Sequence, residues 1–220
     1  ALAIQNGQKL MNEEGTEVYL NTPEAVEALT FFRDLATKYQ VSPKGTIEWG
    51  TLRQAFVQGQ TAMMWHTTGN LTAVKKEAGF DFGVAMLPGK KQQASPTGGG
   101  NFYLFKGADE AQKQAALDFM RWMTAPQRAA QWSIATGYVA TSPAAYDTPE
   151  LKTYGQDFPQ ALVARDQLEV AVPEFATYET ARVRELVSNA VQAAITESKS
   201  PQAALDEAQQ AAQRLLRDYQ

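Results

Sequence analysis

How little of the chain reads as strand is what limits its fold most. In 220 residues three runs look β-like: "TAMMW" at 61–65, "DFGVAMLPG" at 81–89 and "NFYLF" at 101–105. Three lone strands cannot bury both faces of a sheet by themselves. The expectation is therefore a helix-dominated α/β body, or a sheet whose partners lie outside these residues. "TAMMW" reads as a short buried strand, and the tripeptide glycine of "TGGGNFYLF" as a sharp turn or a close backbone approach before another.

Helical patterns fill most of the rest. In "NTPEAVEALTFFRDLATKY", Thr22 reads as an N-cap and Pro23 as the first helical residue, and Ala25, Leu29, Phe32, Ala36 and Tyr39 recur at helical spacing. "LRQAFVQGQ" is a short helix ended by Gly59, and "LTAVKKEAG" another closed by Gly79, with the polar turn "HTTGN" before it. "GKKQQASPTGGG" reads as a polar loop. After it come "ADEAQKQAALDFMRWMT", "APQRAAQWSIATG" closing at Gly137, and "TPELKTYGQDFPQALVAR" in two pieces. The chain finishes with two long helices. The first has a buried face of Val183, Leu186, Val187, Ala190 and Val191; the second starts at Ser-Pro and spaces Leu205, Ala208, Ala212, Leu215 and Tyr219 in threes and fours.

Composition removes several classes of function. Net charge is −4, with the basic residues scattered, so no nucleic-acid partner is expected. There is no cysteine and only one histidine, His66, which excludes thiolate chemistry and multi-histidine metal sites. No metal, cofactor or membrane span is expected. "ALAIQNGQKL" has neither an initiating Met nor the basic start and apolar core of a signal peptide, so the chain reads as if it starts mid-protein.

Catalysis is poorly supported. His66 sits beside Thr67 and Thr68 without a G-x-S-x-G elbow, and Glu13-Glu14 reads as a solvated turn. "TGGGN" lacks the lysine of a P-loop and leads toward a strand rather than a helix. Ligand binding fits better. Glycine-rich backbone can approach a ligand oxygen, and Trp49, Trp65, Tyr138 and Tyr178 all fall at element ends, where aromatic faces can meet a sugar or a cationic head. Arg182 and Arg184 stand near a helix start, the end cations disfavour, which points to a specific task such as meeting a phosphate or carboxylate.

Taken in order, "QNGQKLMNEEGTEVYLNTPEAVEALTFFRDL", "AFVQGQTAMMWHTTGNL", "FGVAMLPG", "TGGGNFYLF", "AAQWSIATGYVATSPAAY" and "SPQAALDEAQQAAQRLL" resemble the family 1 extracellular solute-binding proteins of ABC importers. Within it, "TGYVATS" and "ARVREL" are most similar to the binders of sn-glycerol-3-phosphate and glycerophosphodiesters, with sugar binders sharing much of the pattern. The resemblance implies the helix-rich C-terminal portion of a two-lobed, type II periplasmic-binding-protein-like α/β fold that closes on its ligand in the cleft between lobes. It implies no enzyme activity and no cofactor. Its partners would be a small-molecule ligand and an ABC permease in the membrane. The place would be periplasmic or extracytoplasmic, tied to the membrane through the importer or a lipid anchor on an N-terminal part not included in these residues. On this reading 1–82 form the helical part of the C-terminal lobe, 83–140 cross to the other lobe and 141–220 return. The implied ligand contacts are Thr67 or Thr68 in "HTTGN", the backbone at Gly98 or Gly99, Asn101 after them, Tyr138 in "TGY" and Arg184 for a phosphate; with a sugar, Trp65 and Tyr138 become stacking platforms. A helical scaffold that presents a partner surface without any small ligand is the rival from another class, and a hydrolase using His66 a third.

Overall fold

Capping residues set the helix boundaries. In the computed structural model, which describes residues 1–220, the chain forms α1 (Leu2–Gln5), α2 (Pro23–Thr37), α3 (Trp49–Val57), α4 (Leu71–Glu77), β1 (Ser95–Thr97), α5 (Glu110–Thr124), α6 (Pro126–Thr136), α7 (Pro149–Asp157), α8 (Val163–Asp166), β2 (Ala171–Pro173), α9 (Thr180–Ile195) and α10 (Pro201–Leu216). Thr22 caps α2 by accepting from the Ala25 N–H at 3.4 Å, and Ser200 caps α10 by accepting from Ala203 at 3.2 Å. A proline follows each cap, where its missing N–H costs nothing. Asp109 and Gln112 close a reciprocal capping box at the start of α5. No helix is long and apolar enough to cross a membrane.

Two units divide the chain. The first comprises Ala1–Thr46, Leu87–Gly98 and Val170–Gln220. Its core joins Val18, Leu20, Ala25 and Leu29 to Val183, Ala190 and Ala194 of α9 and to Ala204, Leu205, Ala208, Ala212 and Leu216 of α10. The alanines let these helices approach closely, while the leucines supply apolar area. Buried Gln209 on α10 accepts from the Leu20 N–H at 2.6 Å and donates to the Val18 carbonyl at 2.7 Å, fixing the extended segment along the helix. Gln5 accepts from the Lys91 and Gln92 amides and donates to the Ala94 carbonyl, which anchors the approach to β1. β1 and β2 then pair in parallel, Ser95 with Ala171, Pro96 with Val172 and Thr97 with Pro173.

The second unit comprises Ile47–Met86 and Gly99–Glu169. Ala129, Ala130, Ala145 and Leu151 form its centre, flanked by Ile134, Ala140, Tyr146 and Tyr154. Phe56, Phe80, Phe82 and Phe158 add a run of edge-to-face rings with centroids 5.5–6.2 Å apart. α5 buries none of its residues; Phe119 meets Phe102 edge-on and stacks on Trp122, which carries the Arg128 guanidinium over its ring.

The strand expectations need correcting. "TAMMW", "DFGVAMLPG" and "NFYLF" form no ladder, and Met63, expected in a buried strand, is 82% exposed. No second strand lies beside any of the three runs, "TAMMW" bends at Ala62, and backbone without a partner is no strand however apolar its side chains. The parallel pairing that does form uses "SPT", inside the expected polar loop, and "AVP". Tyr39 and Tyr219, expected on buried helical faces, are exposed: Tyr39 lies beyond the end of α2, and Tyr219, beyond α10, stacks on Tyr178 with centroids 4.3 Å apart.

Candidate functional site

In the second unit, the turn before α4 is organised by His66. Its Nδ1 accepts from the Thr67 amide at 2.9 Å and lies 3.1 Å from the Asn70 side-chain nitrogen. A backbone N–H can only donate, so the proton sits on Nε2, which donates to the Trp49 carbonyl at 3.1 Å. Trp49 also meets the ring edge-on. Both ring nitrogens are thus committed to holding the turn. Thr67 caps the short 3₁₀ turn Thr68–Asn70 by accepting from Gly69.

Tyr138 meets this turn. A Cβ built on Gly69 would fall 2.3 Å from Tyr138 Cζ and within 2.8 Å of two more ring atoms, so glycine is what allows the ring to lie against the backbone. Gly137 ends α6 in the left-handed region at φ 99°, and a Cβ there would meet Leu71 Cβ and the Thr68 carbonyl at 2.6 Å. Tyr138 is fixed further by Ser133, which donates to its carbonyl at 2.6 Å, and by its own amide, which donates to Thr136 Oγ1 at 3.1 Å. The residue remains 43% exposed. The structure thus brings Thr67, Thr68 and Tyr138 together. Trp65 is exposed at the head of the same turn and stacks on no ring, while Gly99 and Asn101 are exposed and bond to none of this group. A Cβ on Gly99 or Gly100 would meet nothing within 4 Å, so packing does not demand glycine at either position.

Gly98 and Arg184 belong to the first unit and share a neighbour the sequence reading missed, Glu174. The β1–β2 ladder runs one step further through the Glu174 amide, which donates to the Thr97 carbonyl at 3.2 Å, and this sets Glu174 beside Gly98. A Cβ on Gly98 would lie 1.9 Å from Glu174 Oε2. Arg184, in the first turns of α9, donates through Nε and Nη2 to the Phe175 carbonyl at 3.3 and 2.7 Å and through Nη2 to Glu174 Oε1 at 2.9 Å. Arg182 pairs with Glu179 at 3.3 Å. Acidic neighbours therefore offset the poor placement of both cations on the helix dipole. Nothing in the pattern "AVPEFATYETARVREL" singles out Glu174, because its role comes from a strand pairing between distant residues.

The model of the family described as bacterial extracellular solute-binding protein matches residues 1–160. The sn-glycerol-3-phosphate-binding periplasmic protein UgpB of Pectobacterium atrosepticum is 28% identical, over 94% of this chain and 49% of its own length. Its counterpart from Escherichia coli K12 is 27% identical, over 94% of this chain and 50% of its own. The chain thus spans about half the length of these curated relatives. Among solved structures, UgpB from Mycobacterium tuberculosis in complex with glycerophosphocholine superposes with a TM-score of 0.85 at 23% identity, over 99% of this chain and 54% of that one. Maltose-bound MalE3 of T. maritima does so with a TM-score of 0.81 at 24% identity, over 97% and 56%. The helix-rich α/β fold expected from the sequence is the fold of these solute receptors, over about half of each.

Proposed function

The chain belongs to the bacterial extracellular solute-binding proteins, and on that premise we propose that the whole protein is the solute-binding component of an ABC importer, capturing a sugar or a glycerophosphate compound and delivering it to a membrane permease. The observation that carries the reading is half-exposed Tyr138, its ring laid against Gly69 beside the hydroxyls of Thr67 and Thr68. A rigid aromatic face next to short hydroxyl side chains suits a polyol: the ring covers C–H surface and the hydroxyls exchange hydrogen bonds. Trp65 offers a second face. The amides at Gly98 and Gly99 and the side chain of Asn101 supply donors for ligand oxygen, and Arg184 a charged one. The relatives' ligands, sn-glycerol-3-phosphate, glycerophosphocholine and maltose, define the solutes to try.

The protein acts by binding, without catalysis. His66, the one histidine, spends both ring nitrogens on its own turn, and its place is outside the cytoplasmic membrane, as for the family. Titration calorimetry of the intact protein against sn-glycerol-3-phosphate, glycerophosphocholine and maltose tests the reading. Saturable heat with at least one of them, weakened at least tenfold by Tyr138→Ala, is the expected result. No heat from any of the three, or heat indifferent to Tyr138→Ala, refutes it.

A further inference from the structure

A guanidinium has five N–H donors arranged as two edges that each match a carboxylate or phosphate. In Arg184 one edge is spent on the chain itself, since Nε and Nη2 both donate to the Phe175 carbonyl. The other edge, Nη1 with Nη2, is capped at one end by Glu174 Oε1. Nη1 alone bonds to no other group of the chain. A phosphate seeking two parallel bonds therefore finds the edge half taken, by a group of its own charge sign. An uncharged hydroxyl needs only one donor and meets no repulsion.

The pair is built rather than casual. Glu174 continues the β1–β2 ladder, and Gly98, whose φ lies outside the left-handed region, is glycine where a side chain would collide with the Glu174 carboxylate. Side-chain exposures of 46% and 48% leave both partners open to solvent and to a ligand.

We propose that Glu174 sets the charge class of the solute: it holds Arg184 in a neutral pair that favours uncharged, hydroxyl-bearing ligands such as sugars, and a phosphate-bearing ligand binds there only by displacing the Glu174 carboxylate. The proposal rests on Arg184 facing the solute. Glu174→Gln keeps the size of the side chain and an oxygen to accept from Nη2, and removes only the charge.

The test titrates inorganic phosphate into the intact protein and reads the Nε–Hε NMR signal of Arg184, in the wild type and in Glu174→Gln. The expected result is weak binding in the wild type and roughly tenfold tighter binding in the variant, about the effect of one close like charge removed from a half-exposed site. Gly98→Ala is the second variant. Its methyl pushes the carboxylate aside, and it should tighten phosphate in the same direction. Phosphate affinities within twofold of one another in all three proteins overturn the proposal, as does a wild type that already binds phosphate as tightly as the variants. An intact protein that binds none of the three solutes by calorimetry, but gains phosphate affinity on Glu174→Gln, would overturn the proposed transport role and leave the charge filter standing.

Discussion

Replacing Gly69 by alanine tests whether the contact between Tyr138 and its turn is what holds the candidate site. Gly69 does not lie in the left-handed region, so alanine brings no backbone strain, and the whole effect comes from the added methyl. That methyl would sit 2.3 Å from Tyr138 Cζ, against the 3.4 Å at which ordinary contact begins, so the ring must retreat by 1.1 Å (3.4 − 2.3). The backbone of Tyr138 cannot follow easily, because Ser133 and Thr136 hold its carbonyl and amide. The side chain has to swing instead. Overpacking of this kind costs about 1–3 kcal/mol, which for a chain of this size lowers the melting temperature by roughly 2–4 °C per kcal/mol. Solute affinity falls with it, since the aromatic face moves off the Thr67–Thr68 turn. Gly79→Ala, where a Cβ meets nothing within 4 Å, is the control and should change neither quantity. Combining Gly69→Ala with Tyr138→Ala separates the two effects: stability recovers because the clash is gone, while affinity stays low. If Gly69→Ala matched Gly79→Ala in both melting and binding, the contact would have no part in the site.

Two further predictions concern the first unit. Gln209→Leu nearly preserves volume but strands the buried Leu20 N–H and Val18 carbonyl, at about 1–3 kcal/mol each, so chemical denaturation should show a loss of roughly 2–6 kcal/mol; a loss under about 0.5 kcal/mol would mean the segment is held by packing alone. Glu27 accepts from the Lys90 ammonium and, secondarily, from the Asn6 amide, and these hold its carboxyl below its ordinary 4.5. Its folded pKa is depressed, so its contribution is present above pH 4.5 and is lost as pH falls through the folded value. The melting temperature should therefore drop less on acidification in Glu27→Gln than in the wild type; equal drops would remove Glu27 from the acid response.

Helices were legible in the sequence because their signals are local. Thr22-Pro23, Ser200-Pro201 and Gly137 mark ends that need only neighbouring residues to work, and the structure uses all three. Strand identity is not local. "NFYLF" has the composition of a strand and no partner, whereas "SPT" and "AVP" contain prolines and pair. With two strands only, each keeps a free edge on which a proline's missing N–H costs no ladder bond. The triple glycine divides along the same line. Gly98 answers to Glu174, a partner brought by that distant pairing, so no reading of "TGGGN" by itself could have assigned it. Gly99 and Gly100 answer to nothing in the chain, and their openness is what a backbone approached by a solute requires. On the proposed reading, the first glycine protects the ion pair that screens the ligand's charge, and the next two keep the main chain bare for the ligand itself.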